Sequence, residues 1–286
     1  MKILDNIKLM EFVSKYDDSS RELLLSLPIN FVKNKKHPLI ISPHPFGFSN
    51  LENYTYGTPD LLEPFTGWKG IPTKYDLVLA IPLGHGRVYD KISLSWEAQL
   101  YDLSNISEVL QNDGYNITKV YVGGLSMGGM ESLTVLGKYP NVFTAGFSFN
   151  GIADLAAWCN DIINGKTDKK MFDMEVNKIL IEEVGGTPTQ CLEEYSRRSA
   201  INYIDNLTKT PLMIYWSSRE SIVVNQESKQ TKKLHDLIKD RNPNSQVYEY
   251  DYSYDHGFTE FNAEERIRCH EFCDFDKATD WLLNFS

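Results

Sequence analysis

Gly124-Leu125-Ser126-Met127-Gly128 places a serine between two glycines at the spacing G-x-S-x-G, and that spacing has a chemistry. A serine hydroxyl is a weak nucleophile at neutral pH. To attack a carbonyl carbon it needs a base to take its proton, an acid to orient that base, and N–H donors where the oxyanion develops. The flanking glycines allow a sharp turn that holds the Ser126 side chain out from the chain. The helical pattern that opens at Met127 adds a partial positive charge and free backbone N–H groups, suited to an oxyanion. Read blandly, the same run is a glycine-rich turn from strand to helix, but an apolar strand before it and a helix after it favour the nucleophile.

The base must come from elsewhere in the chain, and six histidines are available. An elbow of this kind goes with the chain order serine, acid, histidine, which removes His37, His44 and His85. His235 falls inside a helical pattern and His270 in a charged run. His256, in Tyr254-Asp255-His256-Gly257-Phe258, follows the last predicted strand directly, where a loop can carry it over the sheet edge. The acid is expected after the preceding strand, PLMIYW, and Glu220 is the first carboxylate there. Its task is to accept the second ring N–H of His256 and stabilise the imidazolium. Arg219 beside it offers the alternative of a surface ion pair. For the second oxyanion donor the loop Ser42-Pro43-His44-Pro45-Phe46-Gly47 is the source; proline has no N–H, so Phe46, with His44 second, partners the backbone N–H of Met127.

These residues need a scaffold, and the pattern around them supplies one. Short apolar runs at 22–28, 38–42, 76–82, 118–124, 143–149, 211–216 and 246–252 read as strands. Helical periodicity occupies Ser95–Asp113, Met127–Lys138, Gln226–Lys239 and Asp276–Leu283. Alternating strands and helices with almost continuously apolar strands imply an α/β fold: a mostly parallel sheet with helices on both faces. Residues 151–209 lack a strand pattern and carry helical segments such as DKKMFDMEVNKILIEEV. They read as a helical, lid-like insertion at the carboxyl edge of the sheet, with Trp158 and Tyr195 as apolar contacts for a substrate or as core packing.

Length and composition bound the rest. The 286 residues suffice for one large core, so residues 1–286 are expected to form a single domain. The balance of 29 basic against 39 acidic residues, a formal charge of −10, disfavours nucleic acid and anionic membranes as partners. The Lys33, Lys35, Lys36 cluster reads as a solvated turn. Cys159, Cys191, Cys269 and Cys273 have no paired spacing, and Cys269, His270 and Cys273 lack a second pair to complete a zinc site, so no metal is expected. The chemistry needs side chains and water only, hence no organic cofactor. Asp5, Lys8 and Glu11 interrupt the first residues, and nowhere is there an apolar run long enough to span a bilayer; a cytoplasmic location is the consistent expectation.

With these residues placed, the chain from about Leu23 onward resembles the α/β-hydrolase superfamily, and within it the esterase and prolyl-oligopeptidase-like branches. The stretches that carry the resemblance are PLIISPHPFG, VYVGGLSMGGMESLTVLGKYPNVFTAGFSFNGIADL, EEVGGTPTQCLEEYSRRSAINYIDNLTKTPLMIYWSSRESIV and YDHGF, with GLSMGG and DHGF the specific parts. The resemblance implies the triad Ser126, Glu220 and His256, and an insertion after the sixth strand of the fold. Two departures stand out: glutamate where the family usually has aspartate, and SPHPFG where many relatives have His-Gly. The leading expectation is a serine hydrolase cleaving small carboxylic esters through an acyl-enzyme on Ser126. A short-peptide serine peptidase is the alternative, and a non-catalytic ligand-binding protein on the same fold is the third reading.

Overall fold

The computed structural model describes residues 6–43, 68, 70–82, 93–167, 176–250 and 274–285. Among them runs a sheet of eight strands in the order β1-β2-β4-β3-β5-β6-β7-β8. The strands are β1 (Ile7–Val13), β2 (Ser20–Ser26), β3 (Lys36–Ile41), β4 (Val78–Pro82), β5 (Asn116–Leu125), β6 (Ala145–Phe149), β7 (Leu212–Ser217) and β8 (Ser245–Tyr250). From β4 through β3 to β8 every neighbouring pair is parallel; β1 with β2, and β2 with β4, are antiparallel. The expected mostly parallel sheet is therefore present, with one strand more than the sequence pattern called for. That strand is β1, where Leu9, Glu11 and Val13 all face solvent. An edge strand buries too little to show a clear apolar alternation.

Because strand residues alternate between faces, each face owns its own cluster of apolar side chains. Leu39, Ile41, Val78, Ala80, Val122, Leu212 and Ile214 look one way. Against them pack α2 (Glu97–Asn112), through Leu100, Leu103, Ile106 and Leu110, and α3 (Met127–Lys138), through Leu133 and Leu136. Ile40, Leu79, Ile81, Tyr121, Met213 and Tyr215 look the other way, against Ile71 of α1 (Ile71–Tyr75) and against Phe275, Ala278 and Leu282 of α9 (Phe275–Leu282). Trp68 closes this second face, its ring 4.7 Å from that of Phe275 and its indole N–H donating to Ser42 Oγ at 2.9 Å.

After β6 the chain leaves the sheet, as the sequence pattern anticipated. It forms α4 (Leu155–Ile163), α5 (Val176–Val184), α6 (Leu192–Arg197), a single 3-10 turn at Ala200–Tyr203 and α7 (Ile204–Leu207). α8 (Thr231–Ile238) is shorter than the expected Gln226–Lys239. Its front is taken up by side-chain turns, in which Gln226 Oε1 accepts from the Thr231 amide at 3.2 Å and from Thr231 Oγ1 at 2.5 Å. A third apolar cluster joins this excursion to the sheet: Leu155, Trp158, Ile162, Val176 and Leu180 pack with Met127 and Met130 of α3 and with Ile222 and Val223.

Candidate active site

Ser126 sits at the hinge between β5 and α3 with φ 56° and ψ −117°. Side-chain-bearing residues adopt such a conformation only when the surroundings impose it. The imposition is visible on both sides: the Ser126 amide donates to the Phe149 carbonyl of β6 at 2.9 Å, and its carbonyl accepts from the Met130 amide at 2.9 Å. A Cβ on Gly124 would lie 2.8 Å from the Gly128 carbonyl carbon and 2.9 Å from the Pro43 oxygen, so strand, helix and the loop after β3 meet there with no room for a side chain. Met127 opens α3, and the first amide of a helix has no carbonyl within the helix to bond. The positive end of the helix dipole and N–H groups with no intrahelical carbonyl thus lie beside the serine.

Glu220 lies just past β7, and β6 alone separates β7 from the strand that ends at Ser126. Two inter-strand spacings amount to roughly 10 Å at the sheet. The carboxylate is nearly buried, at 6% exposure, while Arg219 beside it in the chain is exposed. Its Oε1 accepts from the amides of Ile222 at 2.8 Å and Val223 at 3.3 Å, two bonds that fix its direction. His256 and Phe46 lie outside the described residues, as do His44, His85 and the Cys269, His270, Cys273 group. Of the remaining histidines, His235 packs under β8 with Nδ1 2.9 Å from Ser245 Oγ, burial lowering its pKa, and His37 is buried with Nδ1 3.0 Å from the Asp76 carbonyl. Both are occupied in the frame of the molecule.

A buried carboxyl that sequence reasoning passed over stands behind the serine. Glu131, in the second turn of α3, is fully buried; Ser93 Oγ donates to it at 2.5 Å and Gln99 Nε2 at 3.3 Å. Burial pushes its carboxyl up to about 7, the hydrogen bonds from Ser93 and Gln99 acting against that rise. The signal was there: Glu131 is the one charged residue of MGGMESLTVLG before Lys138. Ser93 belongs to a segment in which Ser93, Leu94 and Ser95 have φ of 79°, 44° and 57°, three consecutive left-handed residues without a glycine. Ser95 Oγ is 3.2 Å from Thr134 Oγ1 on the same helix, and Arg198 Nη1 donates to the Ser93 carbonyl at 3.0 Å.

Of the two readings open for Trp158 and Tyr195, substrate contact or core packing, both residues take the core place. Trp158 is 3% exposed and donates its indole N–H to the Ile222 carbonyl at 2.8 Å; Tyr195 is fully buried and donates to the Gly186 carbonyl at 3.1 Å. Among the described residues no group of His, Cys, Asp or Glu is arranged to hold a metal, and no helix is long and apolar enough to cross a membrane.

Solved structures with the same fold include the acylaminoacyl peptidase of Pyrococcus horikoshii, 19% identical at a TM-score of 0.67, with 98% of this chain and 42% of that one covered. Dipeptidyl peptidase 4 of Porphyromonas gingivalis is 15% identical at a TM-score of 0.66, with 98% and 35% covered. A thermostable esterase is 15% identical at a TM-score of 0.62, with 99% and 64% covered. The chain therefore spans about two fifths of the length of the peptidases and under two thirds of the esterase. Among curated proteins none matches the sequence. The family model described as the prolyl oligopeptidase family matches residues 88–279, from before the Ser126 turn to α9. The chain belongs to the prolyl oligopeptidase family, serine hydrolases of the α/β-hydrolase fold.

Proposed function

We propose that the chain is a serine hydrolase that cleaves small carboxylic esters through an acyl-enzyme on Ser126. The observation that carries the reading is the strained backbone of Ser126 at the junction of β5 and α3, held by hydrogen bonds on both sides and followed by the N-terminus of a helix. In this reading Ser126 Oγ bonds to the acyl carbon while His256 takes its proton. The backbone N–H groups of Met127 and Phe46 stabilise the oxyanion, and Glu220 holds the imidazolium. Collapse of the tetrahedral intermediate breaks the ester C–O bond, and His256 returns the proton to the departing alcohol. Water then repeats the sequence on the acyl-enzyme and releases the acid. The steps need no cofactor.

A second reading, hydrolysis of short peptides, is favoured by the family itself and by the peptidases among the structural neighbours. Fluorophosphonate labelling of the wild type and of Ser126→Ala, with site mapping by mass spectrometry, tests the nucleophile. Adduct on Ser126 and none on the variant is the expected result, and labelling of both proteins alike would refute it. Parallel turnover of p-nitrophenyl acetate and butyrate against aminoacyl p-nitroanilides separates the readings; a kcat/KM higher on the anilides would replace the ester reading by the peptide one.

A further inference from the structure

Ile222 is gripped from two directions. Its amide donates to Glu220 Oε1 at 2.8 Å, and its carbonyl accepts from the indole N–H of Trp158 at 2.8 Å. Trp158 belongs to α4, the first helix of the excursion, so a residue of that excursion lies one peptide unit from the carboxylate. We propose that Trp158 is a positioning residue for Glu220, and that α4 is a fixed clamp on the acid loop rather than part of a moving lid. The inference rests on the reading of Glu220 as the acid of the triad.

The clamp has more than one point of attachment, and the points lie on one stripe. Asp154, Trp158 and Asp161 follow each other at i, i+4 and i+7, one face of the helix. At the first position Gln230 Oε1 accepts from the amides of Ala153 and Asp154, both at 2.9 Å, while Gln230 Nε2 donates to the Asp154 carbonyl at 3.1 Å. At the second is the Trp158 bond to Ile222. At the third the buried Asp161 carboxylate accepts from Asn225 Nδ2 at 2.8 Å and from Lys229 Nζ at 2.7 Å. Burial acts to raise its pKa, but the hydrogen bonds from Lys229 and Asn225 outweigh this and hold the carboxyl below the usual aspartate range. Asn225, at φ 60°, turns the chain so that its side chain reaches α4. Residues 222–230, immediately downstream of Glu220, are thus fastened to α4 at each turn. Ile222 and Val223, whose amides orient the carboxylate, are at most 2% exposed and share an apolar cluster with Trp158, Leu155 and Met127.

A lid that opens would have to break all of these bonds and expose that cluster. A clamp instead transmits any loosening of Trp158 to the direction of the Glu220 carboxylate. The effect belongs in kcat, because orientation of the base matters in the transition state and not in ground-state binding.

The test is a double-mutant cycle of Trp158→Phe and Glu220→Gln on the full chain, read with p-nitrophenyl acetate. Trp158→Phe keeps the ring and removes the N–H. It is expected to lower kcat about tenfold with KM within about twofold. In the Glu220→Gln background the same change should cost less than about twofold, since the carboxylate it positions is gone. Equal losses in both backgrounds would show Trp158 to be merely structural and overturn the inference, as would an undiminished kcat in Trp158→Phe. An undiminished kcat in Glu220→Gln would instead remove the triad acid and with it the basis of the proposal. If Trp158→Phe does not fold, Asp161→Asn, one turn further along the stripe, enters the same cycle with the same expected non-additivity. Additive losses there would overturn the clamp.

Discussion

At the scale of single residues, two positions near the serine give measurable signatures. Glu131 keeps its proton to about pH 7 in the folded chain, against 4.5 for an ordinary glutamate. Between these values the folded state holds a proton that the unfolded state has lost. Stability is therefore full below about pH 4.5 and declines as pH rises toward 7, by at most about 1.4 kcal/mol per pH unit for one proton. Glu131→Gln should abolish that part of the slope. Urea midpoints at pH 5 and pH 7.5 measure it, and parallel declines in both proteins would mean that Glu131 does not titrate in this window. Gly124→Ala places a methyl against backbone atoms of Gly128 and Pro43, which cannot rotate away. A loss of about 2–3 kcal/mol in stability is expected, together with loss of fluorophosphonate labelling in protein that remains folded. Unchanged labelling would show that the elbow tolerates the shift.

At the scale of elements, the sequence was most legible where an element is buried on both sides. β3 to β7 are almost continuously apolar, so their positions stood out, and Met127–Lys138 coincides with the helical pattern read from Met127 to Lys138. What escaped notice depends on long-range contact. β1 has an exposed apolar half and is anchored through polar groups: Ser14 Oγ donates to Asp102 Oδ1 of α2 at 2.5 Å, and Arg21 Nε of β2 donates to Asp102 Oδ2 at 3.0 Å. A serine, an arginine and an aspartate separated by up to 88 positions carry no periodicity that could announce them. The same holds for the bond from Trp158 to Ile222, across 64 positions, so Trp158 read equally well as a substrate contact. Removing the carboxylate at Asp102 takes one buried acceptor from Ser14 and from Arg21, which keeps its pairing with Asp17 at 2.7 Å, and Asp102→Ala should cost about 2 kcal/mol in urea unfolding. A cost below about 1 kcal/mol would mean that the hairpin is held by backbone pairing with β4 alone.

At the scale of the whole molecule, the formal charge of −10 gives the chain a mean field that resists anions. Neutral esters should therefore be turned over with higher kcat/KM than esters bearing a free carboxylate on the acyl chain. The gap should narrow as ionic strength rises from about 0.01 to 0.5 M, where the screening length falls from about 30 Å to a few ångströms. A gap independent of salt would assign the preference to pocket contacts. The expected chain order of serine, acid and histidine matches a sheet wound in one direction from β5 to β8. Ser126 and Glu220 follow β5 and β7, which have β6 alone between them, while His256 lies outside the described residues.

The run Ser93-Leu94-Ser95 bears on how such a protein could be engineered. All three have backbones that glycine would occupy with less strain, so a search for thermostability would nominate each for replacement. Yet each side chain holds α3: Ser93 through Glu131, Leu94 by packing with Met127 and Met130, Ser95 through Thr134. Glycines there would relax the turn and release its hold on α3. Selection for heat tolerance and selection for turnover pull these three positions in opposite directions.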